Sequence, residues 1–215
     1  MPKLRPEARA ERRQALIEAA WRCASSRGFR ALTVDDVCAE AGVSKGAFYG
    51  YFEQKQDLLL ALLADDTAAQ DRELERITAT SGSPVERVRR FAQAMLARAE
   101  DPARVQVRTD LWADLSTEQL IRRELAQATH RQRECVRRWI DEADASGAIV
   151  AIPADALVSI VIALTEGLML HGALDPATFR PQDVRGALDG LLAGLEARES
   201  RSSTGGLAGG ARAAD

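Results

Sequence analysis

Apolar residues recur every three to four positions through most of the chain, which is the spacing of an amphipathic α-helix. In the first such segment, Leu16, Ala20 and Cys23 mark the stripe that we expect to be buried. The strand-like pattern of residues 148–152 is too short to build a sheet. The pattern therefore predicts an all-α protein.

Glycine, proline and capping residues set the expected helix boundaries. Gly28 ends the first helix and Pro84 opens the fifth, because glycine tolerates a left-handed stop and proline fits a first turn. About nine helices result, and they cover residues 9–26, 33–40, a short segment after Ser44, 55–80, 84–99, 102–115, 116–146, 154–174 and 181–198. We expect three units: a three-helix head (1–54), a larger helical bundle (55–199) and a flexible tail (200–215) with few apolar side chains.

Two short helices joined by a tight turn lie at the end of the head. Thr33 can cap the first helix and Ser44 the second, because each hydroxyl can accept a hydrogen bond from a free backbone N–H. Gly42 suits the turn between them, since such a turn usually needs one residue with positive φ. The segment is typical of a helix-turn-helix.

The second of these helices has an inner and an outer face. Val43, Phe48 and Phe52 fall on the inner face, whereas Lys45 and Tyr49, four residues apart, share the outer face. The outer face is available to phosphates and bases. The segment is therefore interpreted as a module that binds DNA.

The same segment matches a known signature at its characteristic positions. These are Thr33, Val37, Ala41, Gly42, Val43, Ser44, Gly46, Tyr49, Tyr51, Phe52 and Lys55. The pattern closely resembles the helix-turn-helix of TetR-family transcriptional regulators. The resemblance implies nine helices with a three-helix head, a ligand pocket enclosed by helices 5 to 7, and dimerisation through the last two helices.

Gly50 departs from what is usual in that family. We place it in the middle of the recognition helix, where glycine costs roughly 1 kcal/mol of helix stability relative to alanine. Either the backbone approaches DNA very closely there, or side-chain readout is given up. The second interpretation is favoured.

Eight residues are the candidates for contacting DNA: Thr33, Ser44, Lys45, Gly46, Ala47, Tyr49, Tyr51 and Lys55. The resemblance assigns phosphate contacts to Thr33, Lys55 and the two tyrosines, and such contacts fix position without reading sequence. At the start of the recognition helix, Lys45 can donate to guanine and Ala47 can contact a thymine methyl. Tyr51 has an alternative role as a packing residue, and Lys45 as a solvated surface charge. Arg5 and Arg9 can add phosphate or minor-groove contacts.

The distribution of charge agrees with a DNA-binding head. The chain carries a net charge of −3, but residues 1–55 hold ten basic and seven acidic side chains, whereas the remainder holds nineteen and twenty-five. A basic head on an acidic body suits a partner whose phosphates dominate affinity. Double-stranded DNA is thus the expected macromolecular partner.

Cysteine content and hydropathy predict a cytoplasmic protein. Cys23, Cys38 and Cys135 are an odd number without a CxxC pair, and no secretory signal precedes them. The most apolar stretch, residues 154–174, contains Asp155 and Glu166. We therefore expect a buried or interface helix there and no membrane association.

A glycine stripe marks the expected dimer interface. Gly186, Gly190 and Gly194 recur every four residues in the last helix, where each glycine costs up to ~1 kcal/mol. Close approach of a second helix would compensate and would bury Leu191 with its neighbouring leucines. Packing within one subunit is the alternative, but the resemblance favours a homodimer.

Candidates for an effector pocket are large or polar residues in otherwise apolar helices: Phe91, Met95, Trp112, Trp139, Glu166, Met169 and His171. Each has a plain packing role as its alternative. Glu166 is either a polar anchor in the pocket or a paired interface charge.

Residue types that would indicate catalysis or metal binding are sparse. His130 and Cys135, five residues apart, have poor helical geometry for sharing a metal ion. The sequence has no nucleophile–base pairing and no phosphate-binding glycine loop. We therefore predict no enzymatic activity, no cofactor and no metal.

The leading functional hypothesis is a dimeric repressor that a small-molecule effector releases from a pseudo-palindromic operator. A regulator that responds to a protein partner, or that activates transcription, remains an alternative. A helical carrier or enzyme that keeps the head as a scaffold is a third.

Overall fold

The computed structural model describes residues 5–114, 119–149, 152–175 and 177–196. Within these ranges the chain forms nine α-helices and no β-strand, so the predicted all-α fold is confirmed. The helices are α1 (Pro6–Ala31), α2 (Val34–Ala41), α3 (Lys45–Tyr49), α4 (Lys55–Ala79), α5 (Pro84–Arg98), α6 (Pro102–Asp114), α7 (Gln119–Ala145), α8 (Ala154–Leu174) and α9 (Pro181–Leu195). The predicted tail lies outside the described residues.

Helix α1 extends beyond the predicted segment at both ends and is broken near its C-terminal end. Pro6 occupies its first turn, where a missing N–H is no loss. Gly28 adopts φ 75° and ψ 160°, a conformation that is essentially restricted to glycine. A Cβ atom at Gly28 would lie 2.9 Å from Cγ of Gln106, so α6 packs directly on the break.

The placement of Gly50 inside the recognition helix was wrong. Helix α3 ends at Tyr49, and Gly50 is its C-cap with φ −73° and ψ −13°. The helix is short because α4 begins only a few residues later, with Gln54 and Asp57 forming its capping box. The stability cost of glycine in a helix interior therefore does not apply here.

Buried apolar side chains form two clusters. The first joins the inner faces of α1, α2, α3 and the N-terminal half of α4, and it also takes in Val107 of α6 and Ile121 of α7. The second lies among the C-terminal half of α4 and α5, α7, α8 and α9, around Phe91 and Trp139. Because α4 contributes to both, it connects the head to the body.

Helix α8 combines a buried face with an exposed apolar face. Val158 and Val161 are buried, whereas Ile160 and Leu174 are 58% and 72% exposed. By length and composition alone, Ala154–Gly172 is apolar enough to cross a membrane, although a helix that buries one face in a protein core meets the same test. The position of α8 against α5, α6 and α7 makes it a helix of the bundle.

Candidate nucleic-acid interface

The helix-turn-helix is held by a complete set of caps. The Thr33 hydroxyl accepts a hydrogen bond from Asp36 N at 3.2 Å, and the Asp36 carboxylate accepts from Thr33 N at 2.9 Å. Gly42 takes the left-handed conformation, with φ 65° and ψ 34°. Ser44 Oγ accepts from Ala47 N at 3.2 Å. The angle between α2 and α3 is thus fixed by the residues that the sequence singled out.

Aromatic packing fixes which face of α3 points outward. Phe48 and Phe52 are fully buried, with ring centroids 5.4 Å apart. The ring of Tyr49 meets Phe48 edge-on at 5.4 Å but is itself 52% exposed. Gly46 is also exposed, and a Cβ atom there would have ample room. The outer face of α3 is therefore smooth and accessible around a projecting tyrosine.

Lys45 is engaged by a neighbouring carboxylate in the free protein. Its Nζ lies 2.9 Å from Asp35 Oδ1, and both side chains are exposed. The hydrogen bond to Asp35 raises the pKa of Lys45. Exposed pairs of this kind are worth little, so a DNA phosphate or guanine can replace Asp35.

Lys55, a predicted phosphate contact, is occupied within the protein. Its Nζ donates to the carbonyl oxygen of Arg30 at 2.9 Å and lies 4.8 Å from the Phe29 ring centroid. Partial burial lowers the pKa of Lys55, against an opposing effect of Asp110. This lysine therefore closes the last turn of α1, a role that its sequence position alone does not indicate.

Tyr51 and the N-terminal part of α1 form the second edge of the surface. Tyr51 is half-buried against the first apolar cluster, and the Arg9 guanidinium lies 5.7 Å from its ring centroid. Arg9 also donates to Gly50 O at 3.2 Å. Arg13, which the sequence did not single out, lies 5.2 Å from the Phe52 ring. These arginines place positive charge beside α3.

The head is joined to the body through one buried carboxylate. Asp110 of α6 is 5% exposed, and its Oδ2 accepts from Phe29 N at 2.9 Å and from Arg30 N at 3.2 Å. These amides follow the break at Gly28 and would otherwise have no helical partner. Asp110 thereby links α6 to the same turn that Lys55 closes.

The predicted pocket residues fall into three places. Phe91, Met95 and Trp139 lie in the second apolar cluster. Trp112, Glu166 and Met169 line a small cavity between α6 and α8, with a volume of about 10 Å³. His171 is exposed beside Phe179, with ring centroids 6.2 Å apart. Arg108 donates to Glu166, so that carboxylate is a paired charge.

The predicted dimer residues share one exposed face. A Cβ atom built at Gly186, Gly190 or Gly194 would meet nothing within 4 Å, and Leu191 is 65% exposed. The neighbouring Leu188 and Leu192 are buried in the second cluster instead. Their inclusion in the expected seam was therefore wrong, because they pack within the subunit.

Ligand sets for a metal ion do not occur in the described part of the chain. No group of three or more histidine, cysteine, aspartate or glutamate side chains is arranged there to hold an ion. The three cysteines are free thiols.

Two family models match the chain. Residues 16–62 match the model described as "Bacterial regulatory proteins, tetR family", and residues 84–196 match "BetI-type transcriptional repressor, C-terminal". The first match contains the helix-turn-helix and the second contains helices α5 to α9.

Individual relatives are regulators of the same kind. The chain is 32% identical over 97 residues to the transcriptional repressor KstR of Mycolicibacterium smegmatis, covering 45% of this chain and 47% of KstR. It is 28% identical to the regulator PksA of Bacillus subtilis over 77% of this chain and 80% of PksA. A Saccharomonospora viridis regulator solved in complex with choline shares the fold, with TM-score 0.79, 22% identity, and coverage of 88% of this chain and 100% of that one.

Proposed function

Because the chain belongs to the TetR family of bacterial regulatory proteins, we propose that it is a dimeric repressor that a small-molecule effector releases from a pseudo-palindromic operator. Its family and its relatives are transcriptional regulators rather than enzymes. Action on DNA, together with three free cysteines, agrees with a cytoplasmic location.

The observation that carries this proposal is the capped helix-turn-helix with an accessible outer face on α3. Tyr49 projects from that face, and Lys45 can exchange Asp35 for a phosphate. Flanking arginines of α1 add positive charge. The arrangement suits insertion of α3 into a major groove, with tyrosine, lysine and arginine contacts to the backbone.

DNA binding can be tested with the region upstream of the gene as the probe, by fluorescence anisotropy at several salt concentrations. Lys45→Ala should weaken binding and reduce the salt slope by about 1, because one phosphate contact is lost. Arg185→Ala is the matched control, since Arg185 pairs with Glu100 in the body. An unchanged affinity and salt slope in Lys45→Ala would remove that lysine from the interface.

We further infer that the exposed faces of α8 and α9 form a homodimer interface. Ile160, Leu164 and Leu174 on α8 are exposed, as is Leu191 on α9. The α9 glycines leave room beside these side chains for the helices of a second subunit. A face of this composition is unusual for a helix that meets only water.

Substitution at Gly190 separates the dimer interface from its alternative. A Cβ atom at Gly190 has no neighbour within 4 Å in the subunit, so Gly190→Leu should leave the protomer folded. It should shift the sedimentation of the protein from dimer towards monomer. Ala126→Leu, at an exposed site of α7, is the control. If Gly190→Leu remains fully dimeric at low micromolar concentration, the interface lies elsewhere.

The junction at Asp110 suggests how an effector would act on the head. A ligand between α6 and its neighbouring helices that moves α6 also moves the carboxylate that holds residues 29–30. Release of DNA requires the ligand to bind more tightly to one arrangement of the heads than to the other. Effector release is measured by adding ligand to the protein–DNA complex.

A further inference from the structure

A layer of polar side chains separates the two apolar clusters of the body. Asp66, Gln70 and Gln132 are all less than 9% exposed. Gln132 donates to Gln70, and Gln70 donates to Asp66 Oδ2 at 2.8 Å. Buried polar groups are unfavourable unless they are satisfied, so this layer weakens the body for a reason other than stability.

Three arginines converge on this layer, and we name them the arginine triad: Arg98, Arg104 and Arg108. Arg98 and Arg104 both donate to the same oxygen, Asp66 Oδ1, so their guanidinium groups adjoin. Arg108 is one turn beyond Arg104 on α6 and pairs with Glu166. Burial lowers the pKa of Arg98, and the charges of the other two arginines act in the same direction.

Charge and hydrogen bonding around the triad are unbalanced. Three guanidinium groups face two well-buried carboxylates, Asp66 and Glu166, while Asp101, which pairs with Arg104, is 44% exposed. The Nε atoms of Arg98 and Arg108 are buried without a hydrogen-bond partner. An additional anion would satisfy these donors and neutralise the excess positive charge.

An apolar surface continues from the triad along α6. Arg104, Arg108 and Trp112 recur every four residues, so they share one face of the helix. Trp112 and Met169 line the small cavity next to the Arg108–Glu166 pair. The distance along the helix axis from Arg108 to Trp112 is about 6 Å, the length of a short alkyl chain or one aromatic ring.

We propose that the effector is a carboxylate with an apolar body, that its carboxylate binds the arginine triad, and that its body lies against Trp112 and Met169. This inference rests on the proposed function and names the ligand class of its effector site. The cavity is too small for such a ligand as it stands, so binding must separate α6 from α8. A quaternary ammonium would add a fourth positive charge to the site, in contrast to the choline bound by the Saccharomonospora viridis regulator.

The same contacts connect the ligand to the head. Asp66 belongs to α4, which leads into the head, and a ligand carboxylate competes with Asp66 for Arg98 and Arg104. The Arg104 guanidinium also lies 5.5 Å from the ring of Trp21 in α1. Binding therefore loosens α4 and shifts a contact of α1 in one step.

The test compares ligands that differ only in charge or chain length. Hexanoate should raise the melting temperature of the full-length protein in a dose-dependent way and give a calorimetric binding isotherm. 1-Hexanol and choline should have clearly smaller effects. The proposal is overturned if choline binds and the linear carboxylates from butanoate to octanoate do not.

Variants assign the binding to the triad. Arg104→Gln and Arg108→Gln should each weaken hexanoate binding roughly 10- to 100-fold, because a charge-assisted hydrogen bond is lost. Arg185→Gln, on the surface, should bind hexanoate as the parent protein does. Asp66→Asn should bind hexanoate more tightly, because the competing carboxylate is gone; a purely structural role for Asp66 predicts no such gain. Unchanged hexanoate affinity in both glutamine variants refutes the assignment.

Two outcomes distinguish this inference from the proposed function. If the protein binds DNA as a dimer but no carboxylate binds, only the ligand class is wrong. If hexanoate binds through the triad yet leaves the protein–DNA complex intact, the ligand class stands and effector release is wrong. Circular dichroism of each variant identifies those that fail to fold, and the comparison of ligands on the parent protein then decides alone.

Discussion

Removal of the Asp110 carboxylate tests whether the head and body are joined where the structure joins them. Asp110 accepts hydrogen bonds from Phe29 N at 2.9 Å and from Arg30 N at 3.2 Å. The first amide is buried, and the second is partly accessible to water. In Asp110→Ala the buried donor loses its partner, which costs about 1–3 kcal/mol, and the loss of the second, charge-assisted bond adds about 1 kcal/mol. We expect the variant to lose about 2–4 kcal/mol of unfolding free energy.

Urea denaturation followed by circular dichroism measures that loss, at one fixed protomer concentration because dimerisation contributes to stability. Asp110→Asn keeps an acceptor oxygen but loses the charge, so it should lose only about 1 kcal/mol. Asp141→Ala is the control: Asp141 forms an exposed pair with Arg137 at 3.2 Å, and its removal should change stability by less than about 0.5 kcal/mol.

Amide hydrogen exchange adds a local measurement. Exchange at Phe29 and Arg30 should accelerate in Asp110→Ala well beyond the general loss of stability, because these amides lose their acceptor. If Asp110→Ala unfolds within about 0.5 kcal/mol of Asp141→Ala, the two bonds to Asp110 do not hold the head to α6.

Three further variants probe the same region. Gly28→Ala should lose about 1–3 kcal/mol of stability in urea denaturation, since φ is +75° and the new Cβ would meet Gln106; full stability would contradict that backbone conformation. Asp35→Asn should tighten DNA binding several-fold at low salt, by releasing Lys45 and removing a negative charge, as measured by anisotropy; equal affinity would show that Asp35 does not restrain Lys45. Because the pKa of Lys55 is lowered, the native state binds fewer protons there than the unfolded state, and Lys55 makes stability rise with pH up to about 10.5; Lys55→Met should flatten that rise, and an unchanged pH profile would count against it.

The helix-turn-helix was predictable from sequence because each of its parts has a local cause. Thr33 and Ser44 cap helices, Gly42 takes positive φ, and Phe48 with Phe52 sets the inner face. None of these depends on distant parts of the chain. Local rules therefore sufficed for the geometry of α2, the turn and α3.

Residues whose partners are distant in sequence could not be assigned in this way. Lys55 bonds to Arg30, 25 residues away, and Phe29 bonds to Asp110, 81 residues away. Gly50 was misplaced because the end of α3 is set by where α4 must start to reach the first core. Tertiary packing decided each of these positions, and sequence spacing carries no direct sign of it.

The polar layer had a detectable sequence signal. In α4 the buried stripe runs Leu62, Asp66, Gln70, Leu74, with two polar residues at positions that the helical period assigns to the interior. Helix α7 shows the same interruption at Gln132, between buried Ala128 and Val136. A stripe interrupted on two adjacent helices indicates that the bundle is polar at one level, where arginines from α5 and α6 can be accommodated. Because such a layer weakens the core, its retention is best explained by a ligand that uses it, and the arginine triad determines the charge of that ligand.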